Sequence, residues 1–376
     1  MEIVSDNAGT VDRDIRDAVQ RLRDERGWCL ARLRPGTKQP NSKAWQNADP
    51  KPEDFRPHDN VGVQLGRKSG GLVDLDFDCE EARVLAGLDC FFGDLPGFRR
   101  ASLPAHAPGH RLVVCHDAPD KVEKYAFTKS AERAAVAGLD LPKAVILEVR
   151  AGKAQTAIPP SVLDGDPLVW NEPLGQIPEI RWAELERRAG LLAFCASAAC
   201  CYPSEGSRND YCLFLAGVLA HVGVDVESAE EIIGTIARLK GDDEDRSGLA
   251  RAAAEKHAAG QPVTGLPTFL EFTGLQACGP RLRDWLGQGG TTPTREPLPA
   301  NAIDVRNPNI AERTKQIEDL IFEAKLGVYR RGDDLVRVRK LDMTEGSQPD
   351  GYWRHEGLTE LAPATPRWLA HQLSAV

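Results

Sequence analysis

The sequence predicts an α+β chain in which a domain built on a mixed sheet, residues 1–181, precedes a small all-α domain, residues 183–286. Three observations carry that reading. Short alternating or β-branched runs bounded by Gly and Pro recur as far as residue 158. Helical spacing of apolar residues takes over near residue 183, and a stretch rich in Gly, Thr and Pro, residues 287–299, reads as a linker. No internal repeat is present.

The first element is an amphipathic helix, because Val11, Ile15, Val19 and Leu22 recur every three or four positions among charged residues, and Gly27 is its stop. A strand over Trp28 to Leu33 follows, then the rigid basic turn Arg34-Pro35-Gly36-Thr37-Lys38-Gln39-Pro40 and Trp45. Asn60 to Gly66 reads as a second strand, joined by a glycine-rich turn to a third at residues 71 to 77. Further strands are expected at Arg111 to Cys115, Ala144 to Val149 and Gln155 to Ile158. Beyond them come helices over Trp182 to Tyr202 and Asp210 to Val222, and one opened by the capping box Ser228-Ala229-Glu230-Glu231. Another covers Gly248 to Ala259, Leu266-Pro267-Thr268 closes the domain, and a short helix lies near Leu282 to Leu286. After the linker, Ile310 to Lys325 reads as a helix and Gly327 to Arg339 as a hairpin turning at Arg331-Gly332-Asp333-Asp334.

Composition narrows the function classes. At 376 residues, 41% hydrophobic and 27% charged, the chain can bury two or three cores and is globular. A formal charge of −9 argues against an indiscriminate coat on nucleic acid, which needs a surplus of Lys and Arg. The nine Cys form no C-x-x-C pair and no secretion signal precedes them, so reduced, cytosolic thiols are expected. No apolar run approaches the ~18 to 20 residues of a membrane span.

The richest chemistry lies in Gly71-Leu72-Val73-Asp74-Leu75-Asp76-Phe77-Asp78. Strand side chains alternate faces, so Leu72, Asp74, Asp76 and Asp78 share one face while Val73, Leu75 and Phe77 point into a core. Adjacent acids on that face lie roughly 6.6 Å apart, from two strand rises, near enough to share hard divalent cations. The competing reading is the solvated face of an ordinary half-buried strand. Asp78 also suits the N-cap of a helix over Cys79 to Ala86.

Around these acids stand Gly109-His110-Arg111, Glu148-Val149-Arg150 and Gln155-Thr156-Ala157-Ile158-Pro159-Pro160-Ser161. In order along residues 27–170 the chain carries P-G-x-K-x-P with a following Trp, N-x-G-x-x-x-G, h-D-h-D, a strand-leading His, acid-h-Arg and Q-x-x-x-P-P-S. With these motifs it resembles the archaeo-eukaryotic primase superfamily, in its bacterial, plasmid and phage primase-polymerase branch. The resemblance implies a catalytic fold with an RRM-like half. It implies DNA primase and polymerase activity, with Mg2+ or Mn2+ held by Asp74, Asp76 and Glu148 for two-metal nucleotidyl transfer. It places His110 on the phosphates of the incoming nucleotide, with Arg150, Lys38, Gln155 and Ser161 beside it. The approach Ala107-Pro108-Gly109 departs from the family's small-residue pattern, so His110 and Arg111 compete for the phosphate role. Glu148 stands where Asp is more frequent.

The segment Glu205-Gly206-Ser207-Arg208-Asn209-Asp210-Tyr211 resembles the small helical domain that follows the polymerase domain in phage and plasmid primase-helicases. Arg208 and Asn209 then either cap a helix or hold template or the initiating nucleotide. Residues 300–376 resemble the start of a helicase-associated region. No ATPase motif is present, so a helicase in the same longer chain or a separate one is expected as partner. Single-stranded DNA template and deoxy- or ribonucleoside triphosphates are the expected ligands, in the cytoplasm of a bacterial host and without a membrane.

Gly62 to Ser69 is not a phosphate-binding P-loop, since Arg67 stands where a Gly must precede Lys68 and the segment joins two strands. Cys79, Cys90, His106, Cys115 and His116 lack zinc spacing. Arg99 and Arg100 read as a solvated basic pair or a template contact. A replication-initiation or origin-binding protein with a degenerate polymerase domain and a metal-dependent nuclease are the alternative functions.

Overall fold

The computed structural model describes residues 8–288, apart from 94, 140, 142–143 and 247, together with strands at 328–331, 334–340 and 359–363. Residues up to 290 form one compact unit and those from 291 a second.

Helix α1 (Ala8–Arg26) opens the first unit and ends before Gly27, with Arg23 and Arg26 in its last turn where cations suit the helix dipole. The strands are β1 (Leu30–Leu33), β2 (Asn60–Gln64), β3 (Leu72–Phe77), β4 (Gly97–Arg100), β5 (His110–Val114), β6 (Val122–Ala126), β7 (Val145–Arg150), β8 (Gln155–Ile158), β9 (Val162–Leu163) and β10 (Asp166–Trp170). Two short helices interrupt them, α2 (Glu80–Leu85) and α3 (Ser130–Ala135). Strands β4, β6, β9 and β10 were not expected from the sequence.

One sheet has the order β1-β2-β8, the other β6-β7-β3-β5-β4-β10-β9. Every pairing between these strands is antiparallel, and parallel pairing is confined to the bridges Gly36–Leu163 and Val114–Glu179. The reason is topological. The crossover from β3 through α2 to β4 skips the place taken by β5, and the connection from β5 to β6 passes over β3 and β7 before α3 leads into β7, so parallel strands never become neighbours. The run β7-β3-β5-β4 is thereby the interleaved βαββαβ arrangement of an RRM-like half.

The two faces of the large sheet bury different clusters. Val73, Leu75, Phe77, Val113, Leu147 and Val149 pack against α2 and continue, in one cluster, into the helices that follow. Leu72, Phe98 and Leu112, on the other face, pack with Leu30, Leu33, Val61, Val63 and Ile158 of the small sheet and with Ile15 and Val19 of α1. Asp74 and Asp76 belong to this second face, flanked by apolar neighbours.

The helices are α4 (Trp182–Cys200), α5 (Arg208–His221), α6 (Val226–Leu239), α7 (Gly248–Ala258), α8 (Leu266–Thr273) and α9 (Gly279–Trp285). Leu192, Phe194, Tyr211, Leu219, Ile232, Phe269 and Trp285 share the core cluster of the sheet, so these helices form its covering layer. Gly190 lets α4 and α9 touch, because a Cβ there would collide with the Trp285 carbonyl oxygen. Helix α6 begins two residues before the expected capping box. Asp225 is its N-cap, its carboxylate accepting the Ser228 N–H at 2.8 Å. Residues 266–268, expected as a closing turn, start α8, where Pro267 sits in the first turn and its missing N–H costs nothing.

In the second unit β11 (Val328–Arg331) and β12 (Asp334–Lys340) pair antiparallel, with Arg331 opposite Asp334, as the hairpin reading requires. Strand β13 (Thr359–Pro363) joins β12 on its other side. The helix expected over residues 310–325 lies outside the described residues, as does most of the 287–299 linker. No helix among the described residues is long and apolar enough to cross a membrane.

Candidate active site

Strand register assembles the site. Asp76 lies opposite His110 of β5 on one side and Glu148 of β7 on the other, and Asp74 lies opposite Leu112 and Arg150. Residues directly opposite in antiparallel strands share a face, so Asp74, Asp76, His110, Glu148 and Arg150 project together. Asp78 does not cap α2. The helix starts one residue later behind Cys79, and the Asp78 N–H instead extends the β3–β7 ladder to the Ile146 carbonyl at 2.9 Å.

The guanidinium of Arg150 sits among the three carboxylates. Its Nη2 contacts Asp76 and lies 2.8 Å from Glu148 Oε2, its Nε donates to the same oxygen at 2.9 Å, and its Nη1 is 3.6 Å from Asp74 Oδ2. His110 adds a second basic group, with Nδ1 3.1 Å from Asp74 Oδ1 and Nε2 3.5 Å from Asp76 Oδ1. Lys124 of the edge strand β6, opposite Glu148 in register, places Nζ 2.5 Å from Glu148 Oε1.

Electrostatics follow from this packing. Burial opposes the charge of Asp74, whose side chain is 0% exposed, but His110 and Arg150 outweigh it and hold the carboxyl below its ordinary range. Burial likewise opposes ionisation of Glu148, and Lys124 and Arg150 keep it low. Burial also works against the Arg150 charge, yet Asp76, Asp74 and Glu148 push its pKa up. At Asp78 burial and then the charges of Asp76 and Glu148 lift the carboxyl to about 6.

The competition between His110 and Arg111 is resolved by alternation along β5. Arg111 lies opposite Leu75, on the face turned away from the acids, and its Nη1 donates to the carbonyls of Gly93 and, at 3.0 Å, Leu95. The expectation that Arg111 joins the phosphate site is therefore corrected to a role in holding the loop before β4. The His110 ring is fixed instead by a residue the sequence reading missed. Phe98 lies opposite it on β4 and stacks on it at 4.4 Å and 6°, while Trp170 meets Phe98 edge-on at 5.5 Å. Gly97 allows the strands this close, since a Cβ there would strike the His110 carbonyl.

The remaining predicted residues are more dispersed. Lys38 is exposed, and its charge acts on Asp78. Gln155 anchors the Lys38 loop, its Nε2 donating to the Lys38 carbonyl at 2.7 Å. Ser161 is buried with its hydroxyl engaged on both sides by β2, accepting from Val61 N at 2.8 Å and donating to Val61 O at 3.0 Å. Asn60 ties the same loops, donating to the Thr37 and Val162 carbonyls at 3.0 and 2.7 Å. Arg99 and Arg100 are loop ties as well, donating to the carbonyls of Leu103 at 2.9 Å and Leu163 at 3.1 Å. In the helical layer Arg208 turns toward Asp242, 3.5 Å away, and over the Tyr202 ring, while Asn209 is exposed.

Three carboxylates converging on one face form a set of hard oxygen donors of the kind that Mg2+ and Mn2+ take. As the side chains stand, no three His, Cys, Asp or Glu among the described residues are grouped so that they could hold a metal ion. The donor chemistry fits a divalent cation, but Arg150 is among those donors and a cation entering there must displace its guanidinium.

Residues 22–180 match the family model described as bifunctional DNA primase/polymerase, N-terminal, and helices α4 to α9 lie beyond the matched segment. No curated protein matches the chain.

Proposed function

From the premise that residues 22–180 are a domain of the bifunctional DNA primase/polymerase family, we propose that this chain makes and extends primers on single-stranded DNA from nucleoside triphosphates. The observation that carries the reading is the gathering of acid on one sheet face, with Asp74, Asp76 and Glu148 around a single guanidinium, His110 beside the aspartates and Lys124 on Glu148. Asp74, Asp76 and Glu148 would hold Mg2+ or Mn2+, which in nucleotidyl transfer lowers the pKa of the attacking 3'-hydroxyl and neutralises charge on the triphosphate. His110, its plane set by Phe98, would donate to a phosphate oxygen of the incoming nucleotide once Nε2 is released from Asp76. Lys124, mostly exposed at the sheet edge, and Lys38 supply further cations for the triphosphate.

The helices of residues 183–286 would serve initiation. Starting a primer requires two free nucleotides held side by side, an entropic demand that extension avoids. Because these helices share the core of the sheet, Asn209, exposed at the start of α5, is the better probe of that role than a truncation at 181. The unit beyond residue 290 would join a helicase, in the replication of a phage- or plasmid-like element, and be dispensable for synthesis itself.

The test is product formation on unlabelled single-stranded template with each nucleotide set in turn. New strands complementary to the template are expected. A shortened template would make the acid face a nuclease site, and binding without product would make the chain an initiator.

A further inference from the structure

The three carboxylates carry more negative charge than one side chain can balance, and they are nearly buried. The side chains of Asp74, Asp76 and Glu148 are 0%, 11% and 13% exposed. Like charges this close, shielded from water, repel and would spread apart or take up protons. His110 offsets this at the two aspartates and Lys124 at Glu148, but neither of them meets all three acids. The planar fork of Arg150 reaches all three carboxylates, and it does so from the strand position directly opposite Asp74. A lysine at this position would offer one point charge and could not span three acceptors.

We infer that Arg150 is a built-in counter-ion, a positioning residue that gathers the three carboxylates around its guanidinium and competes for the oxygens a divalent cation would take. The inference rests on the proposed metal-holding role of this face and deepens it. A cation arriving among the carboxylates competes with the guanidinium for the same oxygens, so binding is weakened by the displacement of Arg150. Once displaced, the fork is free to pair with phosphate oxygens, which it recognises as well as carboxylate. Metal loading and recognition of the triphosphate are thereby linked through one side chain.

The experiment measures Mn2+ affinity from the paramagnetic resonance of free Mn2+, and melting temperature in EDTA and in excess Mn2+, for wild type, Arg150→Met, Arg150→Lys and Asp76→Asn. Arg150→Met is expected to melt lower than wild type in EDTA and to bind Mn2+ at least tenfold more tightly. Its melting temperature should also rise more on Mn2+ addition. Arg150→Lys should fall between the two in affinity. If Arg150→Met is unfolded in EDTA, refolding on Mn2+ addition supports the inference, and without refolding the lysine variant decides, a wild-type affinity overturning it. Unchanged melting and unchanged Mn2+ affinity in Arg150→Met overturn the counter-ion role. If Asp76→Asn abolishes Mn2+ binding while Arg150→Met leaves it unaltered, only this inference falls. If Asp76→Asn binds Mn2+ as wild type does, the metal reading of the face falls with it.

Discussion

Two buried clusters of acid and arginine, one on the sheet and one among the helices, use the same chemistry to opposite ends. In the helical layer Asp242, 2% exposed, accepts from the Tyr202 hydroxyl at 2.5 Å, from Arg246 Nε at 2.9 Å and from the Glu244 N–H at 3.2 Å, with Arg208 3.5 Å away. One carboxylate there faces two guanidinium groups, and its hydrogen bonds are closed. On the sheet, three carboxylates face one guanidinium, a histidine and, at Glu148, the ammonium of Lys124. The closed cluster needs nothing more and holds the fold. The open one gathers three carboxylates on one guanidinium, and the proposed function rests on that difference.

Substitutions should separate the two. Asp242→Ala leaves Arg208 and Arg246 facing a void, and breaking a buried ion network in this way costs about 3 kcal/mol, read as a lower denaturant midpoint. Asp74→Asn, by contrast, exchanges the pairing with His110 and Arg150 for relief of the repulsion from the other acids, and should lower the midpoint less than Asp242→Ala does. A large loss of stability in Asp74→Asn would mean that the acid face is a structural network like the other.

On β5 the split is by face. His110→Ala should raise the Michaelis constant for triphosphate about tenfold, since a hydrogen bond to a charged group contributes about 1.5 kcal/mol. Phe98→Leu should do the same to a smaller extent, and Phe98→Tyr should restore it. Arg111→Met should leave the Michaelis constant alone and lower the melting temperature, because it strands the Gly93 and Leu95 carbonyls. The reverse ranking of His110 and Arg111 would shift the face assignment by one residue.

Acid titration offers a finer contrast. The Tyr202 hydrogen bond and Arg246, against the cost of burial, depress the Asp242 carboxyl to about 2. A depressed folded-state value means the stabilisation is complete above the unfolded-state pKa of about 3.9 and fades as protons bind below it. The melting-temperature gap between wild type and Asp242→Asn should therefore close as pH falls from about 4 toward about 2. The smallest effect belongs to Tyr211, whose hydroxyl is buried without a hydrogen-bond partner among the described residues. Tyr211→Phe should leave the melting temperature unchanged or slightly raised, because nothing is lost that had been satisfied.

The sequence made the acid strand legible because alternation of Val, Leu and Phe with Asp has only one strand reading. It also made the long helices legible through their spacing. Pairing between distant strands was not legible, and the details of the site depend on it. Neither Phe98 nor Lys124 could be recognised, since Gly97-Phe98-Arg99-Arg100 and Val122-Glu123-Lys124-Tyr125-Ala126 show too little alternation to announce β4 and β6. The choice between His110 and Arg111 needed the register that sets Asp76 opposite His110. Ser161 and Gln155 were sought beside the nucleotide because of their motif. The structure commits the Ser161 hydroxyl and the Gln155 amide N–H to backbone groups of Val61 and Lys38.

The central claim is that the open acid face performs nucleotidyl transfer, and it is tested most directly by template-directed nucleotide incorporation in wild type and Asp76→Asn, matched for melting temperature. Wild type should extend a primer in Mg2+ or Mn2+, and Asp76→Asn should fall by at least a factor of about 100, the loss of several kcal/mol expected when a metal-holding carboxylate is removed. Retention of more than about a tenth of wild-type incorporation by the variant, a barrier change of less than about 1.4 kcal/mol, would contradict it.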